Sequence, residues 1–249
     1  HGNLAGHVLG FVSPVTAEDL ETLAGEGYTE ADVVGKAGFE QWGEEILAGR
    51  RGGRLVIVTP DGQDTTSLVE VPGVPSRDLH LTLDLNIQRS CEQALGERAG
   101  AVVMADVTSG NVLGMATWPR YNPNAFVNPL LSADRQALFE RTDQPFIHRA
   151  VQGGYPSGSL FKIITMAAGM EAANLPPSDP HTCTGVWTGF GFPMRCWKEE
   201  GHGEIDLFRG LEQSCNVVFY ETGVTLNSTD PAALPAMAAR FGIGTPTGI

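Results

Sequence analysis

Short stretches of hydrophobic and polar residues in the first third of the chain predict small helices and strands. A short helix is predicted for "TAEDLETLAGEG", which begins with Thr16, an N-cap residue type followed by two acids, and ends in glycines. A second helix is predicted for "KAGFEQWGEEILAGRRGG", ending at Gly49. A hairpin is predicted for "RLVIVTPDGQDTTSLVEV", where a Pro-Asp-Gly turn separates two strand-like runs.

A segment with two prolines and a glycine, "VPGVPSRD", marks the predicted domain boundary, and it divides the chain into residues 1–76 and 77–249. The second part begins with a predicted strand, "LHLTLD", and a predicted helix, "LNIQRSCEQALGER". Its clearest hairpin is "GAVVMADVTSGNVLGMATW", and a short helix is predicted at 132–141. Hairpins beside helices predict an α+β fold in which helices flank an antiparallel sheet.

A turn-prone segment leads into an apolar helix in residues 150–175, "AVQGGYPSGSLFKIITMAAGMEAANL". Pro156 and Gly158 place Ser159 in the first turn, where free backbone N–H groups and the positive end of the helix dipole gather. The inward face of this helix is predicted to consist of Leu160, Ile163, Ile164, Ala167 and Met170.

Ser159 and Lys162 are three residues apart on this helix, so we expect both side chains to point into the same space. A serine hydroxyl is a weak nucleophile that needs a base. A lysine in apolar surroundings has a lowered pKa, because its charged form is disfavoured, and it can then accept a proton. One helical turn therefore supplies a nucleophile, a base and part of an oxyanion site, although the same pattern also fits a surface lysine beside a capping serine.

Composition and charge narrow the classes of function. The chain has 249 residues and a formal net charge of −13, which makes nucleic acid and anionic lipid unfavourable partners. It has three lysines, of which Lys162 is the one embedded in apolar sequence. There is no apolar run of about eighteen residues. No signal-peptide pattern begins the chain either, so we expect any membrane anchor to lie outside it.

A second polar element, Ser214-Cys215-Asn216, follows the helix-like "DLFRGLEQ" and precedes an apolar run. A Ser-x-Asn turn presents a hydroxyl that can relay a proton and an amide that can contact a substrate peptide bond. Taken alone, the element also fits an ordinary helix cap or turn.

Together the two elements resemble the serine acyl-transferases that include penicillin-binding proteins and β-lactamases. The resemblance is greatest to class B penicillin-binding proteins of the elongation type. Their Tyr-Pro-Pro-Gly-Ser-x-x-Lys segment is similar to "GGYPSGSLFK", with Ser157 at the second proline, and their Ser-x-Asn region is similar to "GHGEIDLFRGLEQSCNVVFYETG". The start of their transpeptidase domain resembles "RDLHLTLDLNIQRSCEQAL", and the end of their pedestal domain resembles "GYTEADVVGKAGFEQWGEEILAGRRGGR".

This resemblance implies a DD-transpeptidase that cross-links peptidoglycan stem peptides, needs no cofactor and is trapped by β-lactams. It implies that Ser159 attacks the D-Ala-D-Ala carbonyl and that Lys162 acts as the base. Ser214 would relay a proton towards the leaving amine, and Asn216 would contact the substrate amide. Other cell-wall synthesis proteins are the implied partners. The implied location is the extracytoplasmic face of the bacterial cytoplasmic membrane, reached through an anchor that this chain lacks.

The third motif of the family, Lys-Thr-Gly on an edge strand, is missing from the sequence. The Thr-Pro-Thr-Gly at 245–248 is no substitute, since Pro246 has no N–H and no charge. We therefore expect the chain to be part of a longer polypeptide, with weak or no acylation if it stands alone. The alternatives are a β-lactam sensor, a scaffold without catalysis, or a β-lactamase, for which Glu199, Glu200 and Glu204 match no deacylating motif.

The four cysteines leave several interpretations open. Cys183 and Cys196 bracket a predicted hairpin, so they fit a disulfide, two free thiols or, with His181 and His202, a metal site. No metal site is assigned, because the spacing lacks a C-x-x-C knuckle. His202 is interpreted as a loop hydrogen-bonding residue, and Arg195 and Trp197 as residues that support the fold.

Overall fold

The computed structural model describes residues 2–23, 25–61 and 64–248 as an α+β protein. Two compact units divide the chain, His1–Gly154 and Tyr155–Ile249. The predicted boundary after residue 76 lies inside the first unit, and as a limit between functional domains it stays a prediction. No helix among the described residues is both long enough and apolar enough to cross a membrane.

The first unit consists of short helices and three antiparallel hairpins or strand pairs. Its helices are α1 (Gly6–Leu9), α2 (Ala17–Thr22), α3 (Gly38–Trp42), α4 (Glu44–Leu47), α5 (Leu85–Leu95), α6 (Ser132–Glu140) and α7 (Arg149–Gln152). Its strands are β1 (Val12–Pro14), β2 (Val33–Gly35), β3 (Gly53–Val58), β4 (Asp64–Val71), β5 (Gly100–Ala105) and β6 (Val112–Trp118). Two 3-10 helices follow β6, at Pro123–Phe126 and Pro129–Leu131. The strand pairs are β1–β2, β3–β4 and β5–β6.

Most predicted elements of this unit are confirmed. Thr16 caps α2 in a capping box with Asp19, and the two predicted hairpins are β3–β4 and β5–β6. The helix predicted to end at Gly49 is instead two helices, α3 and α4. They separate at Gly43, where an added Cβ would lie 2.4 Å from Leu79 Cδ1.

The strand predicted for residues 79–84 is wrong. This segment runs beside β6 through one backbone hydrogen bond, from Asp84 N to Leu113 O, and forms no strand. Asp84 then caps α5 by accepting hydrogen bonds from the next turn's backbone. A segment whose residues alternate like a strand therefore has an irregular backbone when no neighbouring strand pairs with it, because a strand is defined by its ladder of hydrogen bonds.

The second unit carries the motifs singled out in the sequence. It begins with a 3-10 helix, Gly158–Leu160, which leads directly into α8 (Phe161–Ala172). Four short strands follow: β7 (Pro180–Cys183), β8 (Val186–Trp187), β9 (Met194–Arg195) and β10 (Gly203–Asp206). Three helices complete it: α9 (Leu207–Glu212), α10 (Asn216–Thr229) and α11 (Ala233–Arg240). The strands pair antiparallel, β7 with β10 and β8 with β9.

The buried face of α8 differs from the predicted one. Ile164 is buried and Ala167 is half-buried, as expected, but Leu160 is 75% exposed. Ile163 and Met170 are also exposed. The residues of α8 that are buried are Lys162, Ile164, Thr165, Met166, Ala168 and Gly169. The prediction failed because it placed the apolar side chains inside, whereas this helix buries a lysine and a threonine.

Two glycines allow the strands of the second unit to approach the loop after β9. Gly185 has a φ of +89°, and an added Cβ would lie 1.8 Å from Glu199 O. Gly201 has a φ of +81°, and its Cβ would lie 2.1 Å from Cys183 O. No side chain fits at either position, so the backbone contact itself fixes the loop against β7.

We expect Gly185→Ala to lower the free energy of unfolding by at least about 3 kcal/mol, because left-handed strain adds to a backbone clash. Gly191→Ala is the matched control: Gly191 has a φ of +81° but no atom within 4 Å of an added Cβ. Its expected cost is about 1 kcal/mol, the strain alone. Urea denaturation followed by circular dichroism measures both, and equal costs would contradict the close approach.

Candidate active site

Ser159 lies in the 3-10 helix at the start of α8, where its side chain is exposed. Gly158, with a φ of +55°, turns the chain into this helix. The first turn is therefore a 3-10 turn rather than the α-helical turn that was predicted. The hydroxyl of Ser159 accepts a hydrogen bond from the hydroxyl of Ser214 at an Oγ–Oγ distance of 3.0 Å.

Lys162 is buried and directs its ammonium group at three acceptors. Lys162 Nζ lies 2.8 Å from Ser214 O, 3.1 Å from Ser214 Oγ and 2.7 Å from Asn216 Oδ1. An ammonium group has three N–H bonds, so these three contacts satisfy it. Lys162 Nζ also lies over the ring of Phe219, 5.6 Å from the ring centroid.

Burial sets the proton affinity of this lysine. Desolvation lowers the pKa of Lys162 below its ordinary value, and the nearby Cys196 and Cys215 thiols oppose the shift. A lowered pKa makes the neutral amine, the form that accepts a proton, accessible at a less alkaline pH.

Ser214 lies in the turn between α9 and α10, which has the hydrogen bonds of a Schellman motif. Ser214 N donates to Leu211 O at 3.0 Å, and Cys215 N donates to Gly210 O at 2.8 Å. The position that such a motif places in the left-handed region is Ser214, with a φ of +52°. Glycine is the usual residue there, so a serine at this position carries backbone strain.

Asn216 is the first residue of α10, and both ends of its side-chain amide are held. Its Oδ1 accepts from Lys162 Nζ, and its Nδ2 donates to Arg195 O at 3.1 Å. The orientation of the amide follows from these partners, since the oxygen faces a cation and the nitrogen faces a carbonyl. One N–H of Nδ2 stays available for a substrate carbonyl.

The structure thus brings together all four residues that the sequence singled out. Ser159 and Lys162 are joined through Ser214, whose hydroxyl contacts both. Their roles in a reaction stay predictions. Residues 245–248, the Thr-Pro-Thr-Gly segment, are exposed and form no strand.

A cluster of three cysteines and one histidine adjoins this site. Its members are Cys183, Cys196, His202 and Cys215, whose ligand atoms all lie within 4.8 Å of one another. Cys196 Sγ and Cys215 Sγ are 4.0 Å apart, and His202 Nδ1 is 3.5 Å from Cys183 Sγ. Four ligands about 2.3 Å from a tetrahedral zinc ion would be about 3.8 Å apart, so three sulfurs and one nitrogen here fit such an ion.

This cluster changes two of the interpretations left open by the sequence. All four cysteines are free thiols in the structure, so the Cys183–Cys196 disulfide is not formed. His202, interpreted as a loop residue, points Nδ1 at the sulfurs, and burial lowers its pKa, which favours the neutral ligating form. His181 lies outside the cluster and contacts Glu221 and Asp179.

Cys215 is a member of this cluster that was not predicted from the sequence. Arg195 and Trp197, interpreted as residues that support the fold, contact the residues on either side of Ser214. Trp197 Nε1 donates to Gln213 O at 3.0 Å, directly before Ser214. One feature of the sequence could have indicated Cys215. Cys196 and Cys215 are each the central residue of a tripeptide whose flanking residues are polar or aromatic.

Two family models match the chain. Residues 100–249 match the penicillin binding protein transpeptidase domain, and residues 1–81 match the penicillin-binding protein dimerisation domain. The chain therefore belongs to the penicillin-binding protein transpeptidase family. The predicted resemblance and the α+β fold class are confirmed.

Curated relatives and solved structures agree with this family. Peptidoglycan D,D-transpeptidase MrdA from Escherichia coli strain K12 is 34% identical over 100% of this chain and 40% of its own length. The complex between PBP2 and MreC from Helicobacter pylori is similar at a TM-score of 0.87 and 26% identity, covering 99% of this chain and 46% of that chain. Pseudomonas aeruginosa PBP2 in complex with WCK 5153 is similar at a TM-score of 0.80 and 26% identity, covering 98% of this chain and 50% of that chain. The chain thus spans 40% of the length of the first of these relatives.

We expect the purified protein to bind one zinc ion, because the donor set and spacing of the cluster suit that ion. Native mass spectrometry after addition of zinc measures the stoichiometry. Cys196→Ser should weaken zinc binding at least about tenfold. Cys91→Ser is the matched control, because Cys91 is a buried free cysteine of the first unit. Equal zinc binding by the two variants would contradict the site.

Proposed function

We propose that the full-length product of the gene encoding this chain is a peptidoglycan DD-transpeptidase that works through an acyl-serine intermediate. The observation that carries the proposal is the continuous hydrogen-bonded path from Ser159 Oγ through Ser214 Oγ to Lys162 Nζ. A hydroxyl linked to a buried amine is the arrangement that activates a serine for attack on a carbonyl.

In the first half of the reaction, Ser159 Oγ attacks the carbonyl carbon between the two terminal D-alanines of a stem peptide. The hydroxyl proton passes to Ser214, and the proton of Ser214 passes to the neutral amine of Lys162. The C–N bond then breaks, and the released D-alanine amine takes a proton back along the same path. Ser159 is left as an ester of the shortened peptide.

In the second half, the amine of another stem peptide attacks this ester and restores the Ser159 hydroxyl. Lys162 and Ser214 remove the proton of the attacking amine and return a proton to Ser159 Oγ. Asn216 contributes by position, since its Oδ1 holds the amine of Lys162 and its free N–H can meet a substrate carbonyl. A β-lactam follows the first half and stops at the ester.

The comparisons support a transpeptidase rather than a sensor or a β-lactamase. The dimerisation-domain match at residues 1–81 supports a cell-wall synthase, which carries a pedestal beside its catalytic domain. Curated relatives from Escherichia coli strain K12, at 34% identity, and from Acinetobacter baumannii, at 30% identity, are named peptidoglycan D,D-transpeptidases. Pseudomonas aeruginosa PBP2 has been solved in complex with WCK 5153, and we propose that this protein likewise binds small molecules at its transpeptidase site.

Partners and location belong to the same proposal. A relative has been solved with MreC, and another within a peptidoglycan synthase complex that coordinates polymerization and crosslinking. We therefore propose that the protein works beside other cell-wall synthesis proteins, on the extracytoplasmic side of the cytoplasmic membrane. Its proposed substrates are stem peptides, and no contact with nucleic acid is proposed.

The thiol cluster would serve this site structurally. Cys183, Cys196, His202 and Cys215 would hold a zinc ion, which would neutralise the thiolates and cross-link β7 to the turn that carries Ser214. No proton or acyl step passes through it.

We expect one molecule of benzylpenicillin to add covalently to the full-length product, because Ser159 is the nucleophile. Intact-mass spectrometry measures the adduct. Ser159→Ala should abolish it, whereas Ser157→Ala, two residues away and also exposed, should keep it. An adduct on the Ser159 variant, or none on the unaltered protein, would contradict the proposal.

We expect the rate of this acylation to rise with pH. Only the neutral amine accepts a proton, and because burial lowers the pKa of Lys162, the rising limb should lie below the ordinary lysine pKa of 10.5. Lys162→Arg should remove the limb and slow acylation at least about a hundredfold, since guanidinium stays protonated.

Lys36→Arg is the control for this pH profile. Lys36 pairs with Asp19 in the first unit, so an arginine can keep that ion pair. Its profile should match that of the unaltered protein. A rising limb that survives in Lys162→Arg, with the fold intact by circular dichroism, would show that another group is the base.

A further inference from the structure

Two carbonyls at the C-terminal end of α9 take their hydrogen bonds from outside the helix. Ser214 O accepts from Lys162 Nζ at 2.8 Å, and Gln213 O accepts from the indole of Trp197 at 3.0 Å. Such carbonyls have no partner within their own helix, so an external donor fixes the direction of the turn that follows. Here that turn carries Ser214.

Ser214 needs this restraint because its backbone conformation is strained. With a φ of +52°, it occupies the left-handed region, which is unfavourable for any residue that carries a side chain. A strained residue keeps its conformation only where its surroundings hold it. Relaxation of the turn would move Ser214 Oγ, which must stay within reach of Ser159 and Lys162 at 3.0 and 3.1 Å.

The segment Arg195–Trp197 holds both sides of this turn. Before Ser214, Trp197 Nε1 contacts Gln213 O. After it, Asn216 Nδ2 donates to Arg195 O, and Asn216 N donates to Cys196 Sγ at 3.4 Å. Three consecutive residues therefore contact the residues on either side of the proposed proton relay.

The indole N–H matters more than the packing of the ring. Trp197 is 63% exposed, so it buries little apolar surface. Its ring lies edge-on to His202 at a centroid distance of 5.3 Å. The indole therefore combines this ring contact with a hydrogen bond to Gln213 O. An exposed tryptophan is otherwise a weak contributor to stability.

We propose that Trp197 is a positioning residue for the acylation step: its indole N–H holds the Gln213–Asn216 turn so that Ser214 links Ser159 to Lys162. The proposal rests on the proposed function, because it assigns Trp197 a part in that reaction. It differs from a role in folding, since it predicts a loss in the chemical step without a loss of substrate binding.

The test compares Trp197→Phe with Trp42→Phe in the full-length product of the gene. Trp42, 71% exposed and edge-on to Phe39, loses the same group in the first unit. Stopped-flow acylation by a chromogenic β-lactam gives the rate constant k2 and the prior binding constant KS. Hydrogen exchange over residues 211–217 reports the Ser214 and Cys215 amides, which donate to Leu211 O and Gly210 O.

For Trp197→Phe we expect k2 to fall between about tenfold and a hundredfold, as for small misplacements of catalytic groups. KS should stay within about twofold, and the Ser214 and Cys215 amides should exchange faster. The melting temperature should change no more than in Trp42→Phe. Benzothienylalanine at position 197, which keeps the ring shape without the N–H, should reproduce the fall in k2.

The outcomes separate this inference from the proposed function. An unchanged k2, an unchanged exchange rate, or normal k2 with benzothienylalanine would overturn the role of Trp197. The role of Trp197 would also be overturned if the fall in k2 came with a melting temperature lower than that of Trp42→Phe and with faster exchange along the whole chain, because Trp197 would then support the fold in general. If the unaltered protein forms no adduct, the proposed function fails, and local exchange in Trp197→Phe alone decides whether Trp197 holds the turn.

Discussion

A buried cation needs acceptors, and this requirement of Lys162 determines the geometry of the site. Its ammonium group is removed from water, so its three N–H bonds must end on protein oxygens. All three oxygens belong to Ser214 and Asn216. Helix α8 therefore cannot keep its lysine inside unless the turn between α9 and α10 lies against it, and the same contacts bring Ser214 Oγ to Ser159.

The turn between α9 and α10 also depends on groups outside these two helices. The Schellman hydrogen bonds end α9, but they leave the carbonyls of Gln213 and Ser214 open. Lys162 and Trp197 supply the two donors. The lysine is thus both a candidate base and a donor to the carbonyl of Ser214, 52 residues further along the chain. Any change of its charge alters the strength of that hydrogen bond.

Elements that depend on neighbouring residues in the chain were predictable from the sequence. Features that depend on contacts between distant segments were not. The capping box at Thr16, the hairpins β3–β4 and β5–β6, and the four residues of the candidate site follow from patterns within a few positions. The strand expected at 79–84 failed because pairing depends on a neighbour that no local pattern specifies. The face of α8 failed because Lys162 is buried by tertiary acceptors, and hydrophobicity alone cannot anticipate them.

The cluster of Cys183, Cys196, His202 and Cys215 also depends on contacts between distant segments. Cys196 and Cys215 are each flanked by exposed or half-exposed residues that form the site, and each points its own side chain inward. The tripeptides Arg195–Trp197 and Ser214–Asn216 meet both at their central sulfurs and through the side chain and backbone of Asn216. The hydrogen bonds of Asn216 to Arg195 and Cys196 lie on this contact. Anything that draws the two sulfurs together, whether packing or a bound cation, therefore also draws the turn of Ser214 against Arg195–Trp197.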